Sequence, residues 1–193
     1  MSQAIDTLTE EHRVIERVLE ALEAYVTRIE NGAIPDRARV AEFAEFFRDF
    51  ADTCHHGKEE EILFKTLIEL GFPREHGPVG MMLFEHAQGR EHVAAIAGVG
   101  QGSGPVTEQE RQSLIAHTRE YVPLLRQHIL KEDRVLYPMA AQRVSVEDWN
   151  RMAKAFEAFE RDVMGEGRHH TLHDLAHRLM AAPGDTPPAP HHH

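Results

Sequence analysis

The chain has 193 residues, enough for one domain with a sizeable core, and sets 21 Lys+Arg against 32 Asp+Glu for a formal net charge of −11. That acidic balance argues against a nucleic-acid phosphate groove, which needs concentrated Lys and Arg. The single cysteine, Cys54, excludes an internal disulfide and any CxxC motif, whereas 15 histidines raise the question of metal. Three of these, His191, His192 and His193, follow a Pro-rich stretch and read as a purification tag. The segment MSQAIDTLTEEH lacks the basic and apolar regions of a secretory signal, and no apolar run approaches a membrane span. The expectation is a cytoplasmic protein without membrane or nucleic-acid partners.

The periodicity is helical nearly throughout. A first helix is expected from about Asp6 to Glu30, stopped by the turn dipeptide Asn31-Gly32. Pro35 and Asp36 open a second, which carries FAEFFRDF and ends at Gly71. The third begins near Pro78 and fades at Gly98, where GVGQGSGP reads as a flexible loop. Thr107 with Glu110 makes a capping-box pattern for a fourth helix reaching about Gln142, with a kink expected at Pro123. A fifth is expected over Trp149–Met164 and a sixth over Thr171–Met180, before a disordered tail. The predicted fold is all-α: an antiparallel up-down-up-down four-helix bundle over residues 1–142. A helical extension over 143–182 packs on it, and 183–193 is tail.

A bundle helix shows its neighbours a seam with steps of three and four. In that register Leu8, His12, Ile15 and Leu19 face inward from the first helix, and Thr53, His56, Glu60, Leu63, Leu67 and Leu70 from the second. The third contributes Val79, Met82, His86 and Val93; the fourth Tyr121, Leu125, His128, Glu132, Val135 and Met139. His55 is expected to face away. A carboxylate in a dry core is costly unless paired or bound to metal. Four imidazoles and two carboxylates without thiolate suit iron, zinc, copper or manganese, and they are too many for one tetrahedral zinc and fit two metals. His12 and His56 would hold one, His86 and His128 the other, with Glu60 and Glu132 bridging. A pair of iron ions joined by oxide or hydroxide would keep one open position on each, where dioxygen, peroxide or nitric oxide binds.

The segments EEHRVIERVL, HHGKEEEILF, FEHAQGREHV and HILKEDRVLYP resemble the four motif helices of the hemerythrin-like, or HHE cation-binding, family. The resemblance covers about residues 5–142, and GEGRHHTLHDLAHRL resembles the C-terminal extension of bacterial members. It implies a non-haem di-iron centre in a four-helix bundle, with ligands on His12, His56, Glu60, His86, His128 and Glu132. Oxygen carriers of this family have a fifth histidine where Arg90 stands here, which argues against reversible carriage. The functions implied are detoxification of peroxide or nitric oxide, with catalase-like or NO-reducing turnover an open question. Alternatives are iron donation for iron–sulfur cluster repair and redox sensing without turnover.

Arg90, Tyr121, Glu16 and Glu85 are candidates for groups surrounding the ligands. Arg90 would hydrogen-bond a metal-bound anion or pair with a surface glutamate such as Glu91; Tyr121 is core, a gate or a redox-active phenol; Glu16 and Glu85 orient imidazoles, supply an extra ligand or face solvent. His169, His170, His173 and His177 form a separate cluster that reads as a solvated helix face. An electron-transfer partner is expected, and the chain is expected to be a monomer or weak homodimer.

Overall fold

Short polar side chains open the helices by accepting from N–H groups that a first turn leaves unpaired. In the computed structural model, which describes residues 2–181, Ser2 and Asp36 do this ahead of α1 (Gln3–Glu30) and α2 (37–69). Pro78 lies in the first turn of α3 (Gly77–Gln101), and both halves of the Thr107/Glu110 capping box form at α4 (108–143). Ser145 caps α5 (146–164), and α6 (Arg168–Met180) follows a connection whose Gly165 and Gly167 have φ of 86° and 80°. Such left-handed values suit residues without a Cβ. No strand occurs among the described residues, and no helix there is long and apolar enough to cross a membrane. The expected tail over 183–193 lies outside the described residues.

Helices α1 to α4 form the bundle, each packed against its sequence neighbour, with α4 closing onto α1. Helix α4 passes through Pro123, and α3 continues to Gln101 beyond Gly98. The connection after it is pinned: Arg37 donates from Nε to Gly104 O at 2.7 Å and from Nη2 to Glu110 Oε2 at 2.8 Å. Helix α5 adds Trp149, Met152 and Phe156 to an apolar cluster with Ile5, Leu8, Leu63, Leu67 and Leu136. Helix α6 adds Leu172, Leu175 and Leu179 to a second cluster with Ile15, Leu19, Phe47, Phe50 and Leu125. Between the two clusters lies a buried polar layer.

Three wide turns decide which residues enter that layer. Helix α2 is π-helical over Phe46–His56 and Glu59–Leu63, and α4 over Glu132–Leu136. A π turn bonds i to i+5, so it takes in an extra residue and displaces the inward face. Val135 and Met139, expected on the seam, are therefore exposed, while Leu136 and Ala140 are buried. Thr53 and Leu70 are likewise outside.

Thr107→Ala removes the hydroxyl that accepts from Glu110 N–H, leaves the Thr107 N–H bond to the Glu110 carboxylate, and is expected to cost about 1 kcal/mol, read as a lower denaturant midpoint with an unchanged slope.

Candidate metal centre

The polar layer is built from two kinds of segment, each used twice. Glu11-His12 on α1 and Glu85-His86 on α3 are Glu-His pairs; His55-Lys58-Glu59 on α2 and His128-Lys131-Glu132 on α4 follow the pattern HxxKE. His12, His55, His56, Glu59, His86, His128 and Glu132 are all buried. Their donor atoms gather in two overlapping groups, His56, Glu59, His86 and His128 in one, and His12, His55, Glu59 and Glu132 in the other. Glu59 belongs to both. Glu132 also spans them: Oε2 lies 3.2 Å from His12 Nε2, and Oε1 lies 3.2 Å from His128 Nε2.

Of the six residues expected to meet, five do so: His12, His56, His86, His128 and Glu132. Glu60 does not. It is partly exposed, accepts from Arg90 Nη2 at 2.7 Å and lies 2.7 Å from His86 Nδ1. Glu59 takes the inward place, and His55, expected to face away, is 1% exposed. The wide turns on either side of Gly57 bring His55 and His56 both to the inner face, so the layer holds five imidazoles. The fifth imidazole comes from α2, while the position four after His86 is Arg90. The HxxKE repeat is the signal that would have found Glu59, because it aligns His55 with His128 and Glu59 with Glu132.

Every imidazole turns one nitrogen outward to a carboxylate. His12 Nδ1 lies 2.8 Å from Asp133 Oδ1, and His55 Nδ1 lies 2.9 Å from Glu11 Oε2. His56 Nδ1 is 3.3 Å from Asp52 Oδ1, and His128 Nδ1 is 3.0 Å from Glu85 Oε2. With His86 on Glu60, this orientation reserves all five Nε2 atoms for the centre. Carboxylates behind imidazoles fix ring tautomer and orientation at metal sites. Glu85 stands behind the His128 ring in this way. Glu16 instead pairs with Arg13 at 2.8 Å, and Tyr121 is buried edge-on to Phe47 with its ring 5.2 Å away. Arg90 faces neither Glu91 nor the centre; its Nε donates to Asp52 at 2.8 Å.

The outer carboxylates have basic partners: Arg13 for Asp133, Lys58 for Glu11, Arg90 for Asp52 and Glu60, Lys131 for Glu85. Glu59 and Glu132 have no Lys or Arg partner among the described residues, and their countercharge must come from imidazolium or from a cation. Buried atoms lacking any hydrogen-bond partner include His55 Nε2, Glu59 Oε2 and both Glu132 oxygens. Orphaned acceptors converging in a dry layer fit cation ligands and suit nothing else nearby.

Protons occupy part of that role in the metal-free protein. Burial opposes charge on His12, but the hydrogen bond to Asp133 and the adjacent Glu132 carboxylate outweigh it and raise the imidazole to about 9. The same contest at His128, with Glu132 and Glu85 as partners, ends at about 10. His56 is pushed down by burial and by His86 and His128.

The hemerythrin HHE cation binding domain matches residues 3–140. The chain belongs to this family. Within it, α1 to α4 carry the hemerythrin-type cation site, while α5 and α6 lie beyond the match. Three mycobacterial proteins, one of Mycobacterium bovis and two of Mycobacterium tuberculosis strains, are 22% identical over 171 residues. All three are called uncharacterized. The alignment covers 89% of this hemerythrin-like chain and 66% of each relative, so the chain spans just under two thirds of their length. No solved structure matches it.

Two outcomes are expected. Glu59→Ala is expected to abolish metal loading, whereas Glu60→Ala keeps metal and weakens its binding by roughly 10–100-fold, as metal titration would show. An imidazole raised in the fold stabilises below its ordinary value of 6.5, and that contribution is lost as pH rises through the folded value. The melting temperature of metal-free protein should therefore fall as pH rises from about 6.5 through about 9 to about 10 and level off above, and metal-loaded protein should be spared, since metal replaces those protons.

Proposed function

We propose that the centre takes two iron ions and presents them to a small neutral diatomic, dioxygen or nitric oxide. The observation that carries this reading is a cleft of about 150 Å³ that reaches His56, His86 and His128 between largely apolar walls, including Phe47, Val93, Ala97, Tyr121, Leu124 and Leu125. Dioxygen and nitric oxide lose little on leaving water for such walls. Hydrogen peroxide, a strong hydrogen-bonding molecule, gives up most of its water contacts against those walls, where Arg48, Asp52, Glu85 and Arg90 are the charged exceptions, so peroxide is the less favoured substrate.

Five imidazoles and two carboxylates supply nitrogen and oxygen donors without thiolate, a set that suits iron and is too large for one tetrahedral zinc. A bound iron pair supplies the reducing electrons and the coordination positions for the diatomic. His12 and His55 would serve one position, His56, His86 and His128 the other, with Glu59 and Glu132 shared. The division is unequal, two imidazoles against three, so the half served by His12 and His55 is the one with a donor fewer.

The surrounding side chains hold that inequality in place. Tyr137 is buried, its hydroxyl donates to Glu59 Oε1 at 2.7 Å, and its ring stacks on His12 at 5.5 Å. Burial and the charge of Glu59 push the phenol well above its ordinary value, which keeps it a donor. Across the layer Phe64 stacks on His86 at 5.8 Å, an apolar counterpart of Tyr137. Arg90, clamped by Asp52 and Glu60 beside the cleft, steadies the carboxylates behind His56 and His86.

Chain produced in iron-rich medium should contain two irons per molecule and show near-ultraviolet absorption that changes when the reduced protein meets oxygen or nitric oxide. One zinc per chain with no such change would refute the reading. Val93→Phe narrows the cleft and is expected to slow nitric oxide binding in stopped-flow measurements while leaving iron content unchanged.

A further inference from the structure

The two HxxKE segments differ in what covers them. Lys131 and Lys58 each pair with the glutamate that holds the histidine of their own segment: Lys131 with Glu85, behind His128, and Lys58 with Glu11, behind His55. Lys131 is 38% exposed, but Lys58 is fully enclosed. The cover is α5. Its Glu160 accepts from Lys58 Nζ at 2.6 Å, and the ring of Phe156, one turn earlier, lies 5.7 Å from the same ammonium. Phe159 packs on Gly57, where a Cβ would stand 2.7 Å from its Cζ. Glu11, Cys54, Glu160 and His169 meet as if to hold a cation, and the Lys58 ammonium already sits between Glu11 and Glu160. The cluster is thus a clasp between the C-terminal helices and the bundle, and its Glu160, Phe159 and His169 lie beyond the part of the chain that matches the family domain.

We propose that Glu160 is a positioning residue which, through Lys58 and Glu11, holds the His55 imidazole, so that seating of α5 governs occupancy of the half of the centre served by His12 and His55. The physical link is short. A fully enclosed ammonium needs more than one carboxylate to offset its desolvation. If Glu160 leaves, Lys58 must turn toward water, Glu11 loses its basic partner, and His55 loses the anchor on Nδ1. The half with three imidazoles has no contact with α5 of this kind and should keep its metal. The C-terminal helices then act as a latch on one metal position.

This inference rests on the two-metal reading, and wild-type protein tests that separately: a chain that fails to take two irons overturns the reading, whatever the variants do. Given two irons, full-length Glu160→Gln is expected to hold one per chain and to lose the absorption of the pair. Glu160→Asp should recover it in part, and exposed Glu157→Gln should leave it unchanged. Gly57→Ala pries α5 away through Phe159 without touching a carboxylate, and should reproduce the loss if Glu160→Gln fails to fold. Adding Phe159→Ala to Gly57→Ala should restore the second iron. Folded Glu160→Gln or Gly57→Ala protein that keeps two irons and an unchanged spectrum, even with a lowered melting temperature, would overturn the latch.

Discussion

Two glutamates, Glu59 and Glu132, are buried in the middle of the bundle with no Lys or Arg to face them. A pair of uncompensated carboxylates in a dry layer is among the costliest arrangements a core can contain. The rest of the site answers to that constraint. Five imidazoles turn Nε2 toward the pair and Nδ1 toward outer carboxylates, and those carboxylates in turn meet Arg13, Lys58, Arg90 and Lys131 at the edge of the layer. Charge alternates outward from the centre in shells, and only the innermost is left for a cation to complete.

The shells have an approximate two-fold repeat. Glu-His followed by HxxKE occurs once in α1 and α2 and again in α3 and α4, with Phe64 and Tyr137 at matching places beyond each glutamate. The proposed function rests on where the repeat fails. His56 has no counterpart in α4, where Ile129 occupies the place, so the imidazoles divide unequally. Tyr137 brings a hydroxyl where Phe64 has none, and Lys58 is enclosed where Lys131 is open. Each departure makes one half of the centre chemically unlike the other.

The apolar clusters on either side of the layer are what make such a site affordable to the fold. Ile5, Leu8, Leu63 and Leu67 close one end, and Ile15, Leu19, Phe50 and Leu125 the other, so the wide turns of α2 and α4 are held between well-packed segments. Wide turns are poor helical geometry on their own. Here they project neighbouring residues such as His55 and His56 to the same side.

Much of this was legible in the sequence. Punctuation at Asn31-Gly32, Pro78, Thr107 and Ser145 marks the helix boundaries, because caps and turns are local chemistry. Histidines at seam positions on four helices announce metal, because a polar residue where a bundle closes demands a reason. What the sequence by itself did not decide was the choice between neighbours: His55 with His56, Glu59 against Glu60, Leu136 against Val135. A seam of threes and fours presumes an unbroken α-helix, and wide turns are set by packing between helices rather than by propensity along one. The covering of Lys58 by Glu160, 102 residues away in the chain, likewise belongs to tertiary structure alone, since burial of one side chain by another has no local signature.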